Sequence, residues 1–572
     1  MGLLDSLRIG TSALLTQQAA LQVTGNNIAN VSTPGYARQD PILASSGTSR
    51  YGSGITGGAG VKLADVRRIV DDALQQRVND AYSQTNQYQV AEQTLARVES
   101  LLNEGTATDL SSALSRLFNG FSQLVQNPES VSQRGLVINQ AQTVVTELHR
   151  LSSGLQDFSQ ELTSRLSADV TEADRLASAI ADLNTQIVSA ESGGATAASL
   201  RDERDMAINQ LSKLIGVSAR EQPNGAVTIY MGSEPLVYQG DSRGLALVSR
   251  EVNGQVEQVV SFADNEGPVL LLGGQIAGLQ ATRDGELAQV SDRLDSLAEQ
   301  LIWQVNRIHS GGTGLEGVRS VTSVYQVADG AAELCTADAG LNFATVNGSF
   351  QITVTSAPQG VTPTSSTTTI EVKQYGDGTG MSLSDLAAAM NTVPGVSASV
   401  GVSGRLTISA TDPDATLSFG QDHSGVLAAL GINTFFTGVD AGSIAVHPEI
   451  ADHASRMALG LTGAAGDGDN AKALAALGDT STKFQALGNL SLGEYHQRIS
   501  SDLAVWTAAA RDTATANQVV HESLAAQRDS LSGVSMDEEA VNLMQYQRAF
   551  QGAARFITVV DEMLQTLLDI AS

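Results

Sequence analysis

Several short constellations in this chain carry residue types that do chemistry, and each lacks the geometry that chemistry needs. Gly52-Ser53-Gly54-Ile55-Thr56-Gly57 satisfies the dinucleotide-binding pattern. That pattern works only behind a buried strand and at the mouth of a helix, where amide donors face a pyrophosphate. Here Tyr51 and a polar loop precede it and Gly58, Ala59 and Gly60 follow, so it reads as a chance match in a glycine-rich chain. His447 and His453 stand six apart across Pro448, whereas two histidines sharing zinc on one helical face stand four apart. They read as a surface turn. Asp467-Gly468-Asp469-Asn470 opens like a calcium loop but has no closing bidentate glutamate. Asp469 or Asn470 as N-cap of a helix over Ala471–Leu477 accounts for it. The run Arg201-Asp202-Glu203-Arg204-Asp205 reads as a solvated or bundle-edge helical face, with Arg201 one turn from Asp205. Cys335, the sole cysteine, permits no intrachain disulfide and reads as inert packing. No Ser/His/Asp grouping is present. The expectation is a protein without catalysis, cofactor or metal.

Composition narrows the partners. The 572 residues hold 33 Lys plus Arg against 61 Asp plus Glu, a formal charge of -28. Nucleic-acid affinity comes largely from cations that release counterions, so a polyanion of this kind is not expected to bind nucleic acid. Anionic membrane surfaces are disfavoured on the same ground. No run of about eighteen apolar residues exists to cross a bilayer. A basic leader with a continuous apolar core is missing from the start, so a cleaved signal peptide is not expected. The length exceeds one ordinary core, and three or more domains are expected.

The elements that organise these residues are helices. Leu7, Leu14, Leu21 and Ile28 recur every seven residues, and residues 3–30 hold only two charges, Asp5 and Arg8. A solvated helix normally carries a charged outer face, so this one is expected to be contacted on several sides. Asn30 followed by Thr33-Pro34-Gly35 stops it. Near the other end Leu543, Tyr546, Phe550, Ala553, Ile557, Val560, Leu564 and Leu567 alternate in steps of three and four, the seam of a helix lying along another. Helical periodicity also runs from about Ile69 to Ile215, with breaks at Gly105, Asn127-Pro128 and Gly193-Gly194. It returns through Leu287 to Ile308 and Ile499 to Leu531, as in a bundle of long helices. Residues 40–60 read as loop or extended chain. Residues 217–272 hold hairpin turns at Asn224-Gly225 and Asn253-Gly254. Residues 316–446 read as strands with one short helix near Leu383 to Met390.

The fold expected is mainly α with inserted β-rich domains. Its domains are discontinuous and layered: terminal helices pairing as a coiled coil, a long-helix bundle, and outer β modules. The boundaries are 1–35 and 535–572 for the terminal assembly domain, and 36–215, 273–312 and 450–534 for the bundle. A small β-rich module takes 216–272 and an inserted β-rich outer domain 313–449. An isolated amphipathic tail of this length is marginal alone, so the terminal seams are expected to fold fully when another surface covers them. Periodicity leaves open whether that surface is the chain's own bundle or another subunit.

The residues of the two ends resemble a known family. Thr24-Gly25-Asn26-Asn27-Ile28-Ala29-Asn30-Val31-Ser32-Thr33-Pro34-Gly35-Tyr36 resembles the N-terminal signature of the bacterial flagellar axial proteins, which make up rod, hook and hook-associated segments. The stretch from Ser532 through Met536-Asp537-Glu538-Glu539 and Leu543-Met544-Gln545-Tyr546 to Gly552 is similar to the matching C-terminal signature. Three further motifs are similar to those of the family's junction members: Leu200-Arg201-Asp202-Glu203-Arg204-Asp205, with Arg201 where an apolar residue is usual; Asn306, His309 and Gly312; and Gly468-Asp469-Asn470 with Ala473 to Leu477. Leu430-Gly431-Ile432-Asn433-Thr434-Phe435-Phe436 resembles a module of some flagellar proteins.

The resemblance implies a structural component forming the junction between hook and filament and required for filament assembly. It implies export through the flagellar type III apparatus without cleavage, to the cell exterior. The partners implied are other copies of itself in a ring, the hook protein, a second junction protein, and a cytosolic export chaperone on the C-terminal helix. Asn26, Asn27, Asn30, Pro34 and Gly35 are expected to make the turn that leaves the inner layer, and the two seams to be the assembly surface. Two alternatives stand beside it: a hook or distal-rod protein, β-dominated between its ends, or a secreted protein with a ligand-binding or enzymatic module at 316–446.

Overall fold

The computed structural model describes residues 3–33, 35–51, 55–102, 109–193, 196–252, 255–360, 362–464 and 466–571. It is helical for 55% of its residues, which argues against a β-dominated body between the ends. Expected features at Pro34, Gly52-Ser53-Gly54, Gly105, Gly194 and Asn253-Gly254 lie outside the described residues.

Along the chain come α1 (Leu3–Ala29), β1 (Gln39–Ser45), β2 (Thr48–Tyr51), β3 (Ile55–Gly58), β4 (Val61–Arg68), α2 (Asp72–Leu102), α3 (Leu110–Leu124), α4 (Val131–Glu191) and α5 (Ala198–Leu214). Six short strands follow: β5 (Ser218–Glu221), β6 (Val227–Met231), β7 (Glu234–Tyr238), β8 (Asp241–Ser242), β9 (Leu245–Val252) and β10 (Gln255–Phe262). Then come α6 (Gly274–Thr282), α7 (Ala288–Ser310), β11 (Ser320–Thr322), β12 (Gly348–Ser356), β13 (Thr364–Val372), α8 (Leu383–Met390), β14 (Val396–Val400), β15 (Leu406–Ala410), β16 (Ala415–Gly420) and α9 (Val426–Leu430). The last are β17 (Phe436–Thr437), β18 (Ala445–Val446), α10 (Pro448–Asp452), α11 (Asp469–Ala476), α12 (Leu492–Ser532) and α13 (Met536–Ala571). The break at Asn127-Pro128 separates α3 from α4 as expected, and the short helix at Leu383–Met390 forms with a capping box between Ser382 and Asp385.

The chain divides into two compact units, 1–94 with 161–283 and 507–572, and 95–160 with 284–506. In the first, the described part of residues 40–60 takes the extended form of the two expected: β1 pairs with β4 and β2 with β3, both antiparallel. The sheet β5-β6-β7-β8 is pinned to α4 by buried Asn184, whose Nδ2 donates to Val227 O and Gln239 O while its Oδ1 accepts from Val227 N. One side chain thereby meets obligatory backbone hydrogen bonds at the start of β6 and in the turn from β7 to β8.

In the second unit two three-stranded sheets, β11-β15-β14 and β13-β12-β16, share a core with α8 and α9. Alternating Phe350 and Ile352 on β12, Leu406 and Ile408 on β15, and Leu417 on β16 are fully buried in it. Arg134 of α4 is buried, and among the described residues no carboxylate hydrogen-bonds it, Glu129 acting on it through charge alone. It donates instead to Pro128 O at 2.7 Å and Met457 O at 2.6 Å, and burial pulls its pKa down to about 10. The carbonyls stand in for the water it loses.

Candidate assembly interface

Helices α1 and α13 lie antiparallel along each other: Gly10 approaches Ile557, and Asn27 meets Glu539. A Cβ on Gly10 would fall 2.7 Å from Ile557 Cγ1, so glycine is what lets the backbones close here. On α13 the predicted seam turns inward. Val560 is buried, and Leu543, Tyr546, Phe550, Ala553, Ile557 and Leu564 are half-buried. Leu567, the last predicted position, is 51% exposed. The antiparallel spacing puts the start of α1 opposite Leu564, so Leu567 lies past the described end of its partner helix.

On α1 the closest-packed line differs from the heptad of leucines. Gly10, Thr16, Ala20, Thr24 and Asn27 are buried, while Leu7, Leu14, Leu21 and Ile28 are half-buried. The reason is a second neighbour: α1 also packs on the β1–β4 ribbon, and Thr16 Oγ1 donates to Val61 O at 3.1 Å. Small residues occupy the line where two elements approach, and the leucines flank it.

A polar knot ties the two ends together. Asn27 uses all of its hydrogen-bonding capacity. Its Oδ1 accepts from Gln39 N at 3.0 Å and from the Tyr36 hydroxyl at 2.9 Å, and its Nδ2 donates to Gln39 O at 2.8 Å and Glu539 Oε2 at 3.1 Å. Glu539 is 1% exposed and also accepts from Arg38 Nε at 3.0 Å; Arg38 reaches Glu538 as well, at 2.5 Å. Burial, with Asp202 and Glu539 nearby, pushes the Tyr36 pKa up to about 12, which keeps its phenol a donor. Asn30 Nδ2 donates to Asn26 O at 2.9 Å and Thr33 Oγ1 to Asn30 Oδ1 at 3.2 Å, closing the helix end, and Gly35 takes φ +80°. Pro34 lies outside the described residues. Asn27 is among the residues expected here; Tyr36 and Glu539 stand inside the two signatures without an assigned role, and Arg38 lies outside them.

The motifs of the body turn out to be structural. Of the solvated or bundle-edge face expected at Arg201–Asp205, only Glu203 is exposed; the rest is an inward network. Arg204 is 1% exposed and donates to Gly225 O at 2.7 Å. Asp202 and Asp205 both hold Arg68, at 2.8 and 2.5 Å, while Arg201 pairs with Glu191 and Glu221 and not with Asp205. Arg204 shares its face with Ile208, Leu211 and Ile215, so the helical period that carries the core also buries the arginine.

Asn306, His309, Gly312, Asn433 and Asn470 form a second knot. Asn306 Oδ1 accepts from Phe435 N and Phe436 N, and its Nδ2 donates to Phe436 O. The fully buried His309 bonds Asn433 O through Nδ1 at 2.8 Å and accepts from Ala458 N through Nε2 at 2.9 Å. Burial lowers its pKa to about 4, so it is neutral. Asn470 Nδ2 donates to Ala458 O at 2.6 Å, and a Cβ on Gly312 would collide with that amide. Neither Asp469 nor Asn470 caps α11; Asp467 Oδ1 takes Asp469 N. Nor is His447 a surface residue: it is 8% exposed and its Nδ1 caps α10 at Glu449 N.

What this arrangement offers is surface. Among the described residues no group of three His, Cys, Asp or Glu could hold a metal, and no helix is long and apolar enough to cross a membrane. The Cys335 Sγ donates to Glu333, and burial together with that carboxylate raises its pKa, the opposite of an activated thiol. Beside its covered seam, however, α13 carries a second apolar row. Val541, Met544, Phe556, Val559, Met563, Leu567 and Ile570 are 44–77% exposed, at steps of three and four, with Arg548 and Gly552 filling the rungs between Met544 and Phe556. Scattered apolar residues need no explanation, but a row of this length on one helix marks a surface that something covers.

Known proteins share this design. Residues 7–36 match the family model "Flagella basal body rod protein", residues 526–570 match "Flagellar basal body rod FlgEFG protein C-terminal", and residues 95–322 match "Flagellar hook-associated protein FlgK helical domain". Paired ends and helical body are together similar to those of flagellar axial proteins. Over its full length the chain is similar to one of these, flagellar hook-associated protein 1. It is 24% identical to that of Escherichia coli K12 over 580 residues and 26% to that of Salmonella typhimurium LT2 over 577, covering 98% of each chain in both cases. It is 27% identical to that of Bacillus subtilis 168 over 572 residues, 98% of this chain and 97% of that one. In fold it resembles the flagellar hook junction protein FlgK from Burkholderia pseudomallei, with a TM-score of 0.52 at 17% identity over 80% of this chain and all of that one.

Proposed function

We propose that this protein is a structural component of the bacterial flagellum that forms the junction between hook and filament and is required for filament assembly. It works by association and carries out no catalysis. The observation that carries this reading is α13, apolar on two faces, with one covered by α1 and the other left to solvent. A helix so built is suited to lie between its own partner and a neighbouring subunit. Contacts of that kind are heterologous and stack into a tube instead of closing as a dimer.

The terminal segments 1–35 and 535–572 act as the assembly domain and pair as a coiled coil, with the helical body as the next layer and the β modules outside. The seam residues from Leu7 to Ile28 and Leu543 to Leu567, and the turn at Asn26, Asn27, Asn30, Pro34 and Gly35, form the assembly surface. The protein is exported to the cell exterior. Its partners are further copies of itself, the hook protein below, a second junction protein above, and before export a cytosolic chaperone that masks the C-terminal helix. Val559→Glu with Met563→Glu tests this. The subunit should fold as before, by circular dichroism, yet cells carrying it should have hooks without filaments. Normal filaments on such cells would overturn the proposal.

A further inference from the structure

The inserted β domain has one guarded edge and one unguarded edge. In the sheet β13-β12-β16, Val318 closes over β16: its N–H donates to Leu417 O and its carbonyl accepts from Leu417 N, both at 2.8 Å or less. The other edge, β13, pairs with β12 over nine consecutive residues without a bulge. Among the described residues its backbone bonds to nothing but β12. Proteins blunt such an edge with Lys, an internal Pro, a bulge or a covering element. The β13 sequence Thr-Ser-Ser-Thr-Thr-Thr-Ile-Glu-Val has none of these, and it is rich in β-branched residues. Its outward side chains are short and, Glu371 apart, uncharged: Thr367 and Thr353 share a hydrogen bond at 2.9 Å, as do Ser365 and Thr355 at 3.0 Å.

We infer that β13 is a docking edge for the β13 strand of a second copy of this chain, the two pairing antiparallel into one six-stranded sheet. Charge favours this occupant. The only charged residue of the strand is Glu371. Antiparallel self-pairing about Thr367, Thr368 or Thr369 sets it opposite Pro363, Ser365 or Thr367 respectively, never opposite its twin. The contact is isologous and closes at two. It therefore joins free subunits or subunits of separate assemblies, not neighbours related by rotation about one tube.

The test uses the full chain with Cys335→Ser and single cysteines at Ser366, Thr367, Thr368 or Thr369. Only the residue on the two-fold faces its own twin, within reach of a disulfide. Mild oxidation should therefore cross-link one of the four at least tenfold faster than its neighbours. Sedimentation velocity should show a concentration-dependent dimer that Thr367→Lys abolishes with the circular dichroism spectrum unchanged. Equal cross-linking at all four positions, or a dimer untouched by Thr367→Lys, would assign any association to the terminal helices and overturn the inference. A chain that stays monomeric at every concentration and does not cross-link would overturn it as well.

Discussion

The knot at Asn27 makes a quantitative claim about how the two ends hold each other. Replacing Glu539 with Ala removes an acceptor that takes Arg38 Nε at 3.0 Å and Asn27 Nδ2 at 3.1 Å. Hydrogen bonds to a charged group contribute about 1.5–3 kcal/mol each. The loss is smaller than two full bonds, because Arg38 keeps Glu538 and Asn27 Nδ2 keeps Gln39 O. No buried charge is stranded, so the expected cost is about 2–4 kcal/mol of local stability. Glu538, whose side chain is 61% exposed, bonds the same arginine from the solvent side. Its removal should cost less than about 1 kcal/mol.

Amide hydrogen exchange is the suitable assay, since a chain of two compact units has no single unfolding free energy. At about 1.4 kcal/mol per tenfold, Glu539→Ala should speed exchange in the first turns of α13 and the last turns of α1 by roughly 30- to 700-fold. Glu538→Ala should change it by less than about fivefold. Glu539→Gln, which keeps an acceptor but loses the charge, should fall between them. Equal effects of Glu538→Ala and Glu539→Ala would refute the reasoning. So would amides that already exchange freely in the unaltered chain, because the ends would then not be paired in the free subunit.

Three further outcomes follow from the same geometry. Gly10→Ala gains about 1 kcal/mol of helix propensity but drives a methyl toward Ile557, and overpacking costs about 1–3 kcal/mol; exchange in α13 should rise and filament growth should fall. Gly312→Ala places a methyl on the Asn470 amide and against Ala458 O, and should lower the melting temperature of the unit that holds it, read by calorimetry. His309 has its pKa lowered by burial from 6.5 to about 4, so between those values the unfolded chain binds the extra proton. Stability is therefore complete above pH 6.5 and is lost as pH falls toward 4, by on the order of 3 kcal/mol, and His309→Gln should flatten that part of the melting-temperature profile against pH.

Much of the architecture was legible because period alone reveals it. The α13 seam, the stop between α3 and α4, and the helix at Leu383–Met390 each rest on local spacing or local capping. The same logic erred on α1, where leucines every seven residues suggested the contact line. A second neighbour, the β1–β4 ribbon, moved the closest approach to Gly10, Thr16, Ala20 and Thr24, and nothing local announces a second neighbour. The polar knots were hidden for a related reason. Glu539 in the first turn of a helix reads as ordinary complement to the helix dipole, and no spacing links it to Asn27, 512 residues away. Arg204 did leave a trace, since it continues the Ile208, Leu211 and Ile215 face, but an arginine on an apolar face is conventionally assigned to solvent.

The division between directional and non-directional contacts explains why this chain can be both definite in shape and adhesive. Buried polar groups are costly unless every partner is in place, so the knots at Asn27, at Arg68 with Asp202 and Asp205, and at Asn306 with His309 each favour one local geometry over its near alternatives. The outer face of α13 has no such demands. Apolar burial is non-directional, and a row of Val, Met, Phe and Leu can accommodate neighbours that differ in sequence, with methionine the most adaptable of them. A face of that character suits the junction role proposed above, in which the neighbours on the two sides differ. The charge of -28 sets the complementary limit. Like-charged subunits repel at long range, yet at physiological ionic strength that repulsion fades within about 8 Å. Association therefore needs surfaces that come into close contact, and along the tube that role falls to the helix that Glu539 anchors and Arg548 interrupts.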